Sequence, residues 1–269
     1  MKILGIDTTS RFLCLGIYNN NKIYEYNLDL GRKLSALITV TIKRVLDALG
    51  WQIKDIDYFA CGLGPGSFTG MRVGIATIKG FAFSLNKPVV GISTLDILAR
   101  NAGIAGAYVI PIVDAKRNLV YCSIYRNKFG RLTRIKPYML LTMDEFFMVQ
   151  ESMFLRSTVK TLSCHHLRKS LKVIADHAYG GSRQRREGYF LEQIKIKDNA
   201  VMLGDAVNLY KQKILMNMKN VTVLDKDYWY PRGHNIIDLA IEIINSKKVN
   251  SAFEIKPVYL YPKECQVRR

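Results

Sequence analysis

The 269-residue sequence has no CxxC pair, no HxxxH, only four histidines, and no apolar run of the roughly 18 residues that a membrane span needs. Its cysteines are scarce and odd in number: Cys14, Cys61, Cys122, Cys164 and Cys265. A disulfide framework is therefore not expected, and the thiols read as reduced ones in a cytoplasmic protein. The opening "MKILGIDTTS" turns polar at Asp7 and offers no signal-peptide core. His165 and His166 are adjacent and His177 lies eleven residues past His166, which is the wrong spacing for ligands on one helical face. No metal site is expected, even with Cys164 alongside.

Acidic residues are also few, 22 against 40 Lys/Arg, which gives a formal net charge of +18. The excess is uneven: residues 1–105 carry a net of +5 and residues 106–269 a net of +13. Such a surface fits either a polyanionic partner such as nucleic acid or a trait for solubility.

The chain opens with three apolar segments, "KILGIDTT", "RFLCLGIYN" and, past Asn19-Asn20-Asn21, "KIYEYNLDL". Short Asn-rich connections between such runs predict an antiparallel meander. Then the period changes. Leu34, Ile38, Ile42 and Leu46 recur at i+4 with Leu37, Thr41 and Val45 beside them, predicting a helix over 34–49 that Gly50 ends. "IDYFACGLG" reads as a buried strand, followed by a glycine-rich loop and a helix to Leu85. "KPVVGIS" is another strand, and Ser93 or Thr94 caps the helix "TLDILARNA".

A second strand-strand-strand-helix series starts at "AYVIPIVDAKR" and runs through "LVYCSIYRN" and "RLTRIKPYMLL" to a helix with Asp144 and Glu145 in its first turn. This predicts two lobes, 1–104 and 105–269, related by duplication, with a hinge near 103–106. "GIDTT" and "IVDAK" each put an Asp at the end of a lobe's first strand. Further on, "DNAVMLGDAVNLYKQKI" predicts strand then helix, and "NIIDLAIEIINSKK" a helix from Ile236 to about Lys248.

Residues 62–74, "GLGPGSFTGMRVG", hold five glycines. A phosphate loop needs GxxxxGK[ST], and no Lys follows these glycines. A dinucleotide fingerprint fails because its third glycine falls on Ser67 or Thr69. A nucleophile elbow fails because Pro65 and Thr69 stand where glycines belong. The loop instead reads as a turn, with Gly64, Pro65 and Gly66 bending the chain and Ser67 capping the next helix. On that helix Gly70, Gly74 and Thr77 form a small-residue stripe extending to Phe81 and Ser84, beside an apolar stripe of Met71, Ile75, Ile78, Ala82 and Leu85. Small residues at this spacing let another backbone come close. That backbone belongs either to the same domain or to a partner; in the second case Leu34, Ile38, Ile42, Gly70, Gly74, Thr77 and Phe81 form the interface.

"ILGIDTTS", "GLGPGSFTGMRVGIATIKGFAFSLNKPVVGISTLDILA", "IPIVDAKRNLVYCSIY" and "KPVYLYP" together resemble the TsaB proteins in order and spacing, over residues 1–125 and again over 251–262. The resemblance implies an α/β actin/Hsp70-like fold with two βββαβα lobes and mixed sheets. It implies a non-catalytic subunit needed by a TsaD-like partner, together with TsaE, to attach threonylcarbamoyl to adenosine 37 of tRNAs reading codons that begin with A. Contact with tRNA would come through that complex, with a homodimer open to the chain when alone and no membrane partner.

In active members of this fold a glycine closely follows each strand-end Asp, so that the hairpin backbone can touch nucleotide phosphates. This sequence has Asp7-Thr8-Thr9 and Asp114-Ala115-Lys116 instead. No cofactor is expected on this chain alone, ATP belonging if anywhere to the complex. An active ATPase or sugar kinase of the same fold is the alternative. The family's usual His-Ser-Glu near the start of the first helix is replaced by Leu34-Ser35-Ala36. Residues 156–195, with nine Lys/Arg against three acids, have no counterpart in the family pattern. They read either as a solvated loop or as an RNA contact through Arg183, Arg185 and Arg186, with Tyr179, Tyr189 and Phe190 near enough to stack a base.

Overall fold

The computed structural model describes residues 1–103, 107–128, 130–151 and 199–261, and the chain divides into two compact units. The hinge residues 104–106 and the basic stretch 156–195, with Arg183, Arg185 and Arg186, lie outside the described residues.

The first unit contains Met1–Gly103. Strands β1 (Lys2–Asp7), β2 (Phe12–Asn19) and β3 (Lys22–Asp29) form an antiparallel meander. Asn20 and Asn21, at φ 44° and 67°, make the tight turn between β2 and β3 that Asn tolerates. Helix α1 (Leu34–Ala48) follows and stops at Gly50, whose φ is +70°. Next come β4 (Tyr58–Gly62), α2 (Phe68–Leu85), β5 (Val89–Ile92) and α3 (Thr94–Ala99). Sheet order is β3-β2-β1-β4-β5, with β4 parallel to β1 and β5 parallel to β4.

Strand periodicity sorts the side chains onto two faces. Leu4, Ile6, Leu13, Leu15, Ile17, Phe59 and Cys61 pack with Leu34, Ile38, Ile42, Ile75 and Ile78 from α1 and α2. Ile3, Cys14, Ala60 and Val90 face the other way. A sheet buried on both sides needs a second cover.

The second unit repeats the plan. Strands β6 (Tyr108–Lys116), β7 (Leu119–Cys122), β8 (Tyr125–Lys128), β9 (Arg131–Arg134) and β10 (Met139–Thr142) precede α4 (Met143–Glu151). After the undescribed stretch come β11 (Ala200–Leu203), α5 (Val207–Asn217) and β12 (Val221–Val223). Both β7 and β8 pair antiparallel with β6, and the sheet runs β10-β7-β6-β11-β12, with β9 attached through β8. The segment "LVYCSIYRN", expected as one strand, is broken at Ser123-Ile124. There the Ser123 hydroxyl donates to Lys136 O, and Ile124 O accepts from Ile135 N and Lys136 N, so the ladder is interrupted by an alternative set of bonds. Thr142 and Glu145 cap α4 reciprocally.

The missing cover for the first sheet arrives from far along the chain. Residues 224–258, which their position assigns to the second lobe, pack with the first unit. Their helix α6 (Gly233–Asn245) buries Ile236, Ile237 and Ala240 against Ile3, Cys14, Ala60 and Val90. Full burial of such side chains is worth about 1.5–3 kcal/mol each, which is reason enough for the return. Compared with the expected span of 236–248, α6 starts three residues earlier and ends three earlier. Its start is set by a cap that local sequence does not hold: Gly233 N–H donates to Glu25 Oε1 on β3 at 2.8 Å. Lys247, at φ +57°, turns the chain out of the helix at the other end.

His234 Nδ1 lies 2.7 Å from Glu25 Oε2, which makes the cap an ion pair when the imidazole is protonated. The hydrogen bond that His234 donates to Glu25 raises the His234 pKa above its ordinary 6.5, against partial burial and Arg232, with Asp238 adding to the rise. Burial pushes the Glu25 carboxyl up, but His234 and the Gly233 N–H outweigh it and hold it below 4.5. The raised histidine contributes stability below pH 6.5 that is lost as pH rises through its folded value; the lowered carboxylate contributes above pH 4.5 and is lost as pH falls. This clasp therefore stabilises most between those values, by no more than about 1 kcal/mol because the pair is partly solvated. Urea unfolding of wild type and His234→Gln at pH 5.5 and 8.5 should show a wild-type loss at the higher pH that the variant lacks.

Candidate functional site

The site begins with a carboxylate that has no water. Asp7 ends β1 and is 0% exposed, while Thr8 and Thr9 are 1% and 4% exposed. Asp7 Oδ1 accepts from Thr9 N–H at 2.8 Å and from the Thr9 hydroxyl at 2.7 Å, and Oδ2 accepts from the Thr94 hydroxyl at 2.7 Å. Burial pushes the Asp7 pKa up; the bonds from Thr9 side chain, Thr9 backbone and Thr94 act in the opposite direction. The first of these bonds is an Asx turn, so the aspartate shapes the start of its own hairpin.

The glycine loop closes over this turn. A Cβ placed on Gly62 would stand 2.0 Å from Asp7 Oδ2, and one on Gly66 would stand 2.7 Å from both Thr9 Cβ and Thr9 O. On Gly70 it would meet Thr8 O at 2.0 Å, and on Gly74 Thr8 Oγ1 at 2.2 Å. Four glycines, four residues apart, thus line a socket for three consecutive residues. Hydrogen bonds lock it: Ser67 N–H donates to Thr9 O at 2.7 Å, and the Thr8 hydroxyl donates to Gly70 O at 2.8 Å. Ser67 Oγ accepts from Gly70 N–H, capping α2. Gly64 has φ +93° and joins Pro65 through a cis bond.

This packing settles which backbone the small stripe admits. It is the chain's own Thr8, so the expectation of a partner groove over Gly70 and Gly74 is corrected to internal packing. Leu34, Ile38 and Ile42 are likewise core residues of the first unit, because the i+4 apolar stripe of α1 lies on the sheet. Thr77 and Phe81 are half-buried, Thr77 bonding back to Val73 O and Phe81 packing on Phe59. What α2 leaves exposed is a third line: Thr69, Arg72, Ala76, Gly80 and Phe83. A single-face count of apolar positions does not reveal it, since alanine and glycine give little hydrophobic signal. Thr94 was visible only as a cap candidate; Ser93 holds that place, bonding Leu95 N–H, and Thr94 reaches Asp7.

The second hairpin lies in the other unit. Lys116 N–H donates to Asp114 Oδ1 at 2.8 Å, repeating the Asx turn, and Lys116 Nζ pairs with Asp114 Oδ2. Lys116, Arg117 and Asn118 have φ of 64°, 54° and 59°, a left-handed turn made without glycine. Ala115 is buried, and its carbonyl accepts from the Tyr261 hydroxyl at 2.7 Å. Among the described residues no group of His, Cys, Asp and Glu is placed to hold a metal ion. Burial raises the thiol pKa values of Cys14, Cys61 and Cys122, the last to about 12, so none is a ready nucleophile.

Two units, each built on a three-strand meander continued by helix-linked strands and each opening with an Asp-led hairpin, define an actin/Hsp70-like α/β protein. The family TsaD, tRNA N6-adenosine threonylcarbamoyltransferase, matches residues 29–170. The chain belongs to this family, and within it to the TsaB proteins. It is 31% identical over 138 residues to the tRNA threonylcarbamoyladenosine biosynthesis protein TsaB of Bacillus subtilis, covering 51% of this chain and 60% of that one. The Escherichia coli TsaB is 31% identical over 128 residues, 47% of this chain and 55% of that one. With these relatives the match spans little more than half their length. The Haemophilus influenzae TsaB matches at 26% over 262 residues, 97% of this chain and 93% of its own. YeaZ from Pseudomonas aeruginosa superposes with a TM-score of 0.68 at 19% identity, covering 96% of this chain and 99% of that one. No helix of the described residues is long and apolar enough to cross a membrane.

The socket and the outward line of α2 respond differently to added bulk. Gly70→Ala drives a methyl into the Thr8 carbonyl and should destabilise the chain by about 1–3 kcal/mol. Gly80→Ala has nothing within 4 Å of its new methyl and should stabilise by about 0.5–1 kcal/mol through helix propensity alone. Denaturant unfolding of the two variants checks both signs.

Proposed function

We propose that this chain is a non-catalytic subunit that supports a TsaD-like partner in placing threonylcarbamoyl on adenosine 37 of tRNAs reading codons that begin with A. The observation that carries the reading is the filled socket. In a working phosphate hairpin the turn backbone is offered to the nucleotide, but here Thr8 and Thr9 are buried by the chain's own loop, with Thr9 O and the Thr8 hydroxyl bonded to Ser67 and Gly70. The relatives' names as threonylcarbamoyladenosine biosynthesis proteins supply the reaction.

Partner contact falls to the outward line of α2, where Ala76 and Gly80 allow a close approach and Phe83 adds apolar area. Phe83 stacks edge-on against Phe253, so two exposed rings stand at the end of that line. α1 packs beside α2 and exposes Val40, which makes a two-helix platform for a TsaD-like subunit or, when the chain is alone, for a second copy. ATP and TsaE belong to the assembled complex in this reading.

Reconstitution tests it. The lone chain with tRNA and the activated donor should make no threonylcarbamoyladenosine, and adding the TsaD-like subunit with TsaE and ATP should allow it; product from the lone chain would end the proposal. Ala76→Arg should keep the melting temperature within about 2 °C, since the site is exposed. The same variant should weaken partner binding by roughly tenfold or more, about 1.4 kcal/mol, measured by titration calorimetry.

A further inference from the structure

Between Asp114 and Asp144 the sequence places seven Lys/Arg and no acid: Lys116, Arg117, Arg126, Lys128, Arg131, Arg134 and Lys136. Surfaces ordinarily intersperse the two signs. Four of these cations sit on one hairpin, β8–β9, where Arg126 pairs with Thr133 and Lys128 with Arg131. Strand alternation sends Tyr125 and Asn127 inward, and both are buried. The opposite face of the pair carries Arg126, Lys128, Arg131 and Thr133, of which the last three are exposed.

Lys128 and Arg131 stand directly across from each other, an arrangement of like charges that weakens a ladder. It gains a purpose if an anion lies over both. Arg126 is in register with Tyr108 on β6, and its guanidinium carbon lies 4.2 Å from that ring's centroid. Stacking of this kind holds the guanidinium plane in place, with its Nε and Nη1 buried behind the exposed face. Arg134, on the other face of the hairpin, stacks likewise at 4.1 Å over Tyr138.

We propose that the solvent face of β8–β9, through Lys128 and Arg131, is a surface for the phosphate backbone of RNA. The two exposed cations lie side by side across the hairpin, roughly 5 Å apart, so a polyanion backbone crossing the strands meets both. The contact is to backbone and carries no base readout, so it orients a tRNA without selecting its sequence. The choice of RNA among polyanions rests on the tRNA-modification reading above; the surface itself rests on the hairpin.

The test uses the full chain and an unmodified tRNA transcript, with binding followed by fluorescence anisotropy across a salt series. Lys128→Ser combined with Arg131→Ser changes two exposed side chains, and Lys22→Ser with Lys54→Ser is a charge-matched control on the first unit. Losing two phosphate contacts should weaken binding about tenfold or more near 0.1 M salt and flatten the log–log salt slope by about 1.4–1.8, while the control changes little. Equal losses in both double variants, an unchanged slope, or no tRNA binding by wild type would each overturn the surface. So would loss of binding to phosphatidylserine vesicles with tRNA binding intact, which would assign the face to a membrane. Failure here leaves support of the TsaD-like subunit standing, because that is read from product formation. Absence of such support together with hairpin-dependent tRNA binding would leave the surface standing alone.

Discussion

A carboxylate removed from water is held in the first unit by hydrogen bonds from Thr9 and Thr94 and by the close approach of a glycine loop, and much else follows from that constraint. Leaving a buried polar group without partners costs more than a typical contact gains. Asp7 therefore fixes the turn through Thr9 and reaches across the sheet to Thr94 at the start of α3. The turn in turn requires glycine at 62, 66, 70 and 74, because any side chain there would occupy the space of Asp7, Thr8 or Thr9. The hairpin, β4, α2 and α3 are thus one packed unit. Filling the turn from within makes Asp7, Thr8 and Thr9 structural residues of the first unit.

The sequence carried much of this fold openly, and the places where it did not have a common cause. The meander, α1 and the second strand series are local patterns: Asn turns, an i+4 stripe, a period of two. Each element can be recognised without knowing what covers it. Gly70 and Gly74 announce a close approach, yet composition along one helix cannot say whether Thr8, 62 residues away from Gly70, or another protein fills the space. For the same reason α6 begins at Gly233: its cap is Glu25, on a strand from the opposite end of the chain. Its membership of the first unit is a matter of which apolar sheet face lacked a cover. The break at Ser123 was hidden by apolar residues on both sides of a hydroxyl that bonds to Lys136 O.

The division of labour in the molecule follows its charge. The first unit spends its small residues on the socket and leaves an outward line on α2 with one cation, Arg72, beside Ala76, Gly80 and Phe83. The second unit keeps the larger share of the basic excess, four of its cations on a hairpin where Lys128 and Arg131 face each other. These two features differ in the chemistry each would recognise.

The closed turn itself can be interrogated amide by amide. Thr9 N–H is bonded to Asp7 and Ser67 N–H to Thr9 O, so both report on the socket directly. Native-state hydrogen exchange of these two amides, with and without Mg-ATP, is the measurement closest to the central claim. A permanently filled socket predicts exchange only through global unfolding and no added protection from nucleotide. Exchange through a low-energy local opening, or protection that grows with Mg-ATP, would mean that the turn opens to phosphate and that the chain is no pseudo-enzyme.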